Sequence, residues 1–156
     1  MIKKALMVFL VLCLAFSLTA CGTGDSKVPG LDDNNKVSSE RDSLILVSSF
    51  VVTDIWNGGF RAIRDYLKDD GTSDGVEIDL EQTMERLEQN MDKLAEHDTY
   101  IKGLDDKYSE VQNIWEKLYA ESQIIYSAIS DGTSSLDTEE FQLYLDEFSI
   151  ATASAN

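Results

Sequence analysis

Apolar residues recur every three or four positions through most of the chain beyond residue 38. They fall at steps of four from Val47 to Leu67, and at mixed steps of three and four in the segments that follow. A period near 3.6 is typical of amphipathic α-helices, whose opposite faces here are rich in Glu, Asp, Lys and Gln. The pattern predicts four helices, over residues 39–68, 79–102, 105–129 and 138–152.

Short connections join these predicted helices, and a short connection makes neighbouring helices antiparallel. We therefore predict an all-α fold, an antiparallel up-down four-helix bundle formed by residues 39–156. Proline, which breaks helices, does not occur in this part of the sequence. The stretch Leu44–Trp56 is rich in β-branched residues and apolar nearly all round, so a strand is the alternative there. We favour a bundle helix with a wide apolar surface.

The chain opens with the sequence MIKKALMVFLVLCLAFSLTACG. Lys3 and Lys4 precede sixteen residues without a charge, a run too short for a membrane span of about 20 apolar residues. A basic front, an apolar middle and small residues before a cleavage point are typical of a secretory signal peptide. We assign residues 1–20 to this signal.

The end of the signal, Leu18-Thr19-Ala20-Cys21, resembles the lipobox of bacterial lipoproteins. The resemblance implies cleavage before Cys21 and attachment of diacylglycerol to that cysteine. It covers residues 1–22 and implies nothing about the rest of the chain. A protein of this kind is expected to be extracytoplasmic and lipid-anchored to the bacterial cell membrane. The alternative is an ordinary signal peptide with an incidental cysteine.

Residues 22–38 contain three glycines and the only proline of the chain, with few apolar residues. This composition indicates a flexible tether. A Gly-rich coil of this length spans roughly 23 Å, enough to hold a domain away from a lipid surface. The predicted organisation is therefore a signal peptide (1–20), a lipidated Cys21 with its linker (21–38), and a helical domain (39–156).

The chain carries 13 basic and 29 acidic residues, a formal charge of −16. Removal of the signal takes away Lys3 and Lys4 and no acid, which leaves 11 basic residues and a charge of −18. Such a surface repels phosphates and anionic lipid head groups. We expect no nucleic-acid partner, and a contact with the membrane through the lipid on Cys21.

Few residues of the sequence are suited to catalysis. His97 is the only histidine, so a His-rich metal cluster or an HExxH zinc site cannot form within one chain. Cys13 leaves with the signal and Cys21 takes the lipid, which leaves no thiol in the helical domain. Paired carboxylates are too frequent in this acidic chain to mark a site. We therefore expect a protein that is not an enzyme and has no cofactor.

One connection has a partial calcium-loop pattern. In the sequence DDGTSDGVEIDLE, the residues Asp70, Thr72, Asp74 and Glu81 fall at EF-hand positions 1, 3, 5 and 12. Glu77 falls at position 8, where an apolar residue is expected. Acidic turns in an acidic protein produce such matches by chance. A Ca²⁺ site here is the alternative to an ordinary turn.

The sequence DGTS occurs at residues 70–73, in the loop just described, and again at residues 131–134. The stretch 130–141, which contains the second copy, is better explained as a turn followed by the start of a helix. Asp137 and Glu140 have the spacing of a capping box, and Leu136 and Phe141 have that of a hydrophobic staple. An EF-hand alignment ending at Glu140 puts an isoleucine at position 1 and a serine at the glycine position. The pattern therefore predicts the start of the fourth helix.

The predicted helix lengths suggest an uncovered apolar surface. The third helix spans roughly 37 Å and the fourth roughly 23 Å at 1.5 Å per residue. The fourth helix is thus expected to leave a groove open at the end of the bundle nearest the tether. Its predicted lining is Leu44, Val47, Phe50, Val51, Trp56, Leu104 and Tyr108. Alternatively, the final residues SIATASAN continue the fourth helix and close the gap.

These expectations lead to one functional hypothesis and one alternative. The hypothesis is a membrane-anchored extracytoplasmic lipoprotein that acts as a non-enzymatic interaction module for a protein or peptide. The alternative is a lipoprotein that binds a small apolar ligand or calcium.

Overall fold

A computed structural model describes residues 33–69, 71–73 and 75–155, with side chains from Ser39 onward. This part of the chain is mostly helical, which confirms the predicted all-α character. We name its long helices α1 (33–68), α2 (Leu80–Lys102), α3 (Ser109–Ser130) and α4 (Glu139–Ser154). A two-stranded sheet, β1 (Thr72–Ser73) and β2 (Val76–Glu77), lies between α1 and α2.

Helix α1 is continuous but not uniform. It is α-helical over Asp33–Phe50, π-helical over Val51–Arg61 and α-helical again over Ala62–Lys68. The stretch that was apolar nearly all round is therefore helix and not strand. The helix also begins six residues earlier than the pattern predicted, inside the region assigned to the linker.

Helix α2 begins and ends where its sequence signals lie. The Asp79 carboxylate accepts a hydrogen bond from the Gln82 backbone N–H at 3.0 Å and caps the helix. Gly103 ends the helix in a right-handed conformation, φ −85°, rather than the left-handed one that a C′ glycine usually adopts. A 3-10 turn, Asp106–Tyr108, then leads into α3.

Helix α4 starts one residue later than the capping box predicted. The Asp137 carboxylate accepts from the Glu139 backbone N–H at 3.1 Å, so it does satisfy an amide of the first turn. Leu136 is half-buried and Phe141 fully buried, as a staple requires. The helix continues to Ser154, beyond the predicted end.

The core lies between all four helices, and its largest members are aromatic. Phe141 of α4 packs on Trp56 and Phe60 of α1, with ring centroids 5.7 and 5.2 Å apart. Trp115 of α3 packs on Phe148 of α4 at 5.1 Å. Other fully buried core residues come from α1, α2 and α3: Leu44, Ile55, Leu87, Leu94, Ile101, Leu118 and Ile125.

Helix α1 approaches α2 closely because of a glycine. A Cβ atom placed on Gly59 would lie 2.7 Å from the Leu87 side chain, so Leu87 packs directly against the backbone of α1 at this point. The segment Ser39–Lys68 is also the one described helix long and apolar enough, by composition, to cross a membrane. Its buried positions pack against the other helices, as those of a core helix do.

Candidate functional site

The residues of the predicted groove lie mostly inside the core. Leu44 and Val51 are completely buried, and Val47 and Tyr108 are 3% and 1% exposed. The other three, Phe50, Trp56 and Leu104, are half-buried and packed against the core. The structure thus closes the groove that the helix lengths predicted along α1.

The physical reason is the length of α4. The residues SIATAS continue the helix, so α4 covers the part of α1 around residues 41–48. Two contacts fix it there: the Ser48 and Ser149 hydroxyls lie 3.0 Å apart, and the Arg41 guanidinium donates to the Ala153 carbonyl at 2.7 Å. The half-buried residues also have partners, since Phe50 packs on the His97 ring at 5.0 Å and Arg64 lies over the Trp56 ring.

An open groove of about 770 Å³ does exist, but it lies between the start of α3 and the end of α4. We call it the α3–α4 groove. Its apolar lining is Tyr108, Val111, Ile114, Ile150, Ala151 and Ala155. Its polar lining is Lys107, Ser109, Glu110, Asn113, Glu147 and Ser154. Tyr108 is thus the one predicted groove residue that borders this opening.

Contacts at both walls hold the groove in shape. On the α3 side, the Gln112 amide donates to the Ile101 and Leu104 carbonyls, both at 3.0 Å, and so fixes the start of α3 to the end of α2. Lys107 pairs with Glu40 of α1 at 3.5 Å and lies 4.7 Å above the Tyr108 ring. The groove therefore lies between two anchored helices.

The most exposed apolar residue of the groove is Ile150, at 68%. It lies on the outer side of α4, two positions after the buried Phe148. Sequence reasoning missed this groove because it followed only the buried seams of the helices. Apolar residues outside those seams, Ile114, Ile124, Leu143 and Ile150, were the available signal.

The Tyr108 hydroxyl is an unusual feature of this region. It is buried and has no hydrogen-bond partner among the residues that the structure describes. Leaving a buried hydroxyl unsatisfied costs about 1–3 kcal/mol. The wall of the groove therefore carries a buried hydroxyl that does not stabilise the folded domain.

The calcium pattern is only partly within the described residues, because Asp70 and Asp74 lie outside them. Thr72 lies in β1, and its hydroxyl donates to the Asp69 carbonyl at 3.0 Å. Glu81 is exposed in the first turn of α2. Within the ranges given above, the acids and histidine form no cluster of three that could hold a metal ion.

The sequence reasoning missed the hairpin in this connection. Thr72 pairs with Glu77 and Ser73 with Val76, so the sequence between the two strands is Asp-Gly. An Asp-Gly pair is a strong hairpin signal. Gly75 has φ +77°, a conformation that glycine adopts without strain. An acidic loop with ligand-like spacing is therefore also a good turn sequence.

The basic residues of α1 and the single histidine have structural partners. The basic residues Arg61 and Arg64 pair with Asp65 of their own helix, at 3.6 and 2.9 Å. Burial raises the pKa of Asp65, but hydrogen bonds from Arg64 and Ser73 outweigh it and lower the pKa below its usual value. His97 is half-buried beside Phe50, and this burial lowers its pKa. Cys21, the predicted lipid site, lies outside the described residues.

The chain matches no protein-family model, no curated protein and no solved structure.

Proposed function

We propose that this protein is an extracytoplasmic lipoprotein, anchored to the bacterial cell membrane through Cys21, whose helical domain binds a protein or peptide. The lipobox-like residues that precede Cys21 support the anchor. The scarcity of catalytic residue types supports a binding role over an enzymatic one. The location of the groove supports a macromolecular partner, since a lipid anchor holds the domain where other envelope proteins are found.

We further propose that the domain is an antiparallel up-down four-helix bundle. Early residues of α1 contact late residues of α4, as Arg41 and Ala153 do, and late residues contact early ones, as Phe60 and Phe141 do. The same inverse order relates α1 to α2 and α2 to α3. In this arrangement α3 and α4 are neighbours whose outer sides face solvent together.

The observation that carries the binding function is the α3–α4 groove with Ile150 exposed at its edge. Soluble proteins seldom expose large apolar side chains around an opening unless a partner covers them. Peptide-binding domains commonly receive an amphipathic helix in a groove between two of their own helices. Two anchored walls make the groove suitable for this use.

Photocrosslinking in intact cells tests the proposed function. A photoreactive amino acid replaces Asn113, which lines the groove, and in a control chain it replaces Glu85 on the exposed side of α2. We expect a discrete adduct from position 113 that disappears when Ile150→Asp is added. Equal, diffuse labelling from both positions would overturn the groove as the binding site.

The anchor needs a separate test, because the groove and the lipid are independent. We expect Cys21→Ser to move the protein from the membrane fraction to the soluble extracellular or periplasmic fraction, with unchanged folding of the domain. Mass spectrometry of the N-terminal peptide should find diacylglycerol on Cys21. An unmodified cysteine in a membrane-bound chain would contradict the lipid anchor.

A small apolar ligand is the second candidate, and the volume of the groove favours it. Ligand sites commonly have volumes of about 300–1,000 Å³, which includes this groove. A ligand that binds only the folded state raises the melting temperature in proportion to the logarithm of its concentration. A shift caused by a small molecule, and abolished by Ile150→Asp, would favour this candidate over a peptide.

A further inference from the structure

A second opening continues the line of the α3–α4 groove toward the other end of α3. It measures about 210 Å³ and is lined on α3 by Glu121, Ile124, Ile125 and Ala128. Residues 114, 121, 125 and 128 are separated by seven, four and three positions, so they lie on one side of the helix. We call this side, with the facing side of α4, the outer α3–α4 face.

Helix α4 shows the same register. Glu140 lines the second opening, which we call the upper one, and Glu147 lines the α3–α4 groove, which we call the lower one. These two residues are seven positions apart, and Leu143 lies between them on the same side of the helix. From residue 110 to residue 128 the face is roughly 27 Å long at 1.5 Å per residue. That is the length of a helix of about 18 residues.

Apolar side chains lie along this face without cover. Ile124, Leu143 and Ile150 are 61%, 55% and 68% exposed. Ile114 is half-buried between them and the core. Single apolar residues scattered over a surface are normal, but three on one side of two neighbouring helices form a patch of the kind that marks an interaction site.

Acidic side chains border the same residues. Glu110 and Glu147 line the lower opening, and Glu121, Asp137 and Glu140 line the upper one. Within the part of the chain that the structure describes, none of these five carboxylates forms an ion pair. Burial raises the pKa of Glu121, and the negative charges of Glu140 and Asp137 raise it further.

The nearby lysines do not neutralise these acids. Lys107 is paired with Glu40, and Lys117 lies over the Tyr144 ring at 5.7 Å. The face thus combines exposed apolar groups with negative charges that repel each other. A positively charged, partly apolar partner would relieve both the exposure and the repulsion.

We infer that the outer α3–α4 face binds a cationic amphipathic helix, with its apolar side on Ile124, Leu143 and Ile150 and its Lys or Arg residues against the bordering carboxylates. The inference rests on the proposed binding function and names the chemical class of its partner. Charge also argues against other occupants. An anionic lipid surface would be repelled, and a second copy docked on the same face would set acid against acid.

The test uses the full chain in non-ionic detergent and three fluorescent 18-residue peptides. The peptides share one leucine stripe and carry lysine, glutamine or glutamate on the polar side. Fluorescence anisotropy gives each affinity, with empty micelles as background. We expect the lysine peptide to bind at least about tenfold more tightly than the glutamine peptide, and the glutamate peptide not to bind.

Two triple variants with the same change in charge locate the binding. We expect Glu110→Gln, Glu140→Gln and Glu147→Gln together to weaken the lysine peptide about tenfold. The matched control, Glu81→Gln, Glu85→Gln and Glu88→Gln on exposed positions of α2, should change affinity less than about twofold. Ile150→Asp, at the edge of the groove, should abolish binding of the lysine peptide to this face.

The outcomes separate this inference from the proposed function. Equal binding of the lysine and glutamine peptides, or equal effects of the two triple variants, overturns the cationic partner while peptide binding itself stands. Absence of peptide binding together with a specific adduct from position 113 also overturns it and leaves the proposed function intact. Absence of both defeats the proposed function. Self-association in sedimentation velocity that Ile150→Asp abolishes would assign the face to a second copy instead.

Discussion

Gly59 sets the distance between α1 and α2. A methyl group at this position would lie 2.7 Å from the Leu87 Cδ1 atom, and Leu87 is 1% exposed within the packed core, so the side chain must shift against its neighbours. Overpacking costs about 1–3 kcal/mol, whereas replacing a helical glycine by alanine gains at most about 1 kcal/mol. We expect Gly59→Ala to lower the free energy of unfolding by about 1 kcal/mol, measured by urea denaturation.

A double-mutant cycle with Leu87→Ala checks the cause. The smaller side chain at residue 87 leaves space for the new methyl group, so Gly59→Ala should be neutral or stabilising in that background. An equal loss of stability in both backgrounds would mean that the contact with Leu87 is not responsible.

For the Tyr108 hydroxyl we predict the opposite effect, which is that its removal does not lower the free energy of unfolding. Because the buried oxygen has no described partner, removing it takes away a desolvation cost and no hydrogen bond. We expect Tyr108→Phe to leave the unfolding free energy unchanged or to raise it by up to about 1 kcal/mol. The Lys107 contact above the ring is kept in this variant. A loss of more than about 1 kcal/mol would reveal a hydrogen-bond partner.

Glu121 allows a prediction about pH. Its pKa is raised above the ordinary value of a glutamate in the folded protein, first by burial and then by the negative charges of Glu140 and Asp137. The folded state therefore binds the proton more tightly than the unfolded state. The destabilising effect of the ionised group is fully present above the folded-state pKa and is relieved as pH falls through it.

Glu121→Gln should thus stabilise the domain at pH 7 by a few tenths of a kcal/mol and remove this part of the pH dependence. Thermal unfolding between pH 4 and pH 7 measures both effects. Exposed Glu88→Gln serves as the control with the same charge change. A larger gain in stability from the control would contradict the destabilising effect assigned to Glu121, Glu140 and Asp137.

At the scale of elements, the sequence predicted most of the helices because their apolar spacing is set by the core. The seam from Val111 through Trp115 and Leu118 to Ile129 is buried along its whole length. The Asp137 carboxylate accepts from a first-turn amide of α4, as the capping pattern predicted, although the helix starts one residue later. The all-α character follows from these local signals.

The candidate site was not predictable in the same way. Its location depends on where α4 ends, and the residues SIATAS are small enough that local signals favour neither continuation nor a stop. Contacts made by Ser149 and Ala153 with α1 keep the helix intact. The groove then forms on the other side of α4, at a place that only the packing of helices decides.

The two sides of α4 should respond differently to truncation. Phe148 is completely buried against Trp115, so Phe148→Ala should destabilise the domain by about 3–5 kcal/mol. Leu143 is 55% exposed, so Leu143→Ala should change stability by less than about 0.5 kcal/mol. The two variants are compared by urea denaturation and by anisotropy with the lysine peptide.

For Leu143→Ala we expect weaker binding of the peptide despite unchanged stability. A binding loss of about 1 kcal/mol, close to fivefold in affinity, corresponds to the removal of a partly buried leucine side chain. Unchanged affinity in this variant would place the bound helix elsewhere on the domain.

At the scale of the whole molecule, charge dominates. The chain carries a formal charge of −16, and the acidic groups repel one another in the compact state. Added salt shortens the screening length from about 10 Å at 0.1 M to about 3 Å at 1 M. Sodium chloride should therefore raise the melting temperature of the domain.

Calcium at matched ionic strength serves as the control for this effect. Screening alone depends on ionic strength, whereas a specific site responds at concentrations near its dissociation constant. An additional stabilisation by calcium that is lost in Asp70→Asn would support the calcium alternative. Equal curves for the two salts would leave screening as the sufficient cause.

Salt should act on peptide binding with the opposite sign. The same screening that reduces repulsion within the domain reduces its attraction for a cationic helix. Between 0.05 and 0.5 M sodium chloride we expect the melting temperature to rise while the affinity for the lysine peptide falls. Peptide affinity that does not change with salt would mean that the apolar groups alone hold the peptide. A melting temperature that falls with salt would mean that attractive ion pairs outweigh repulsion in this acidic domain.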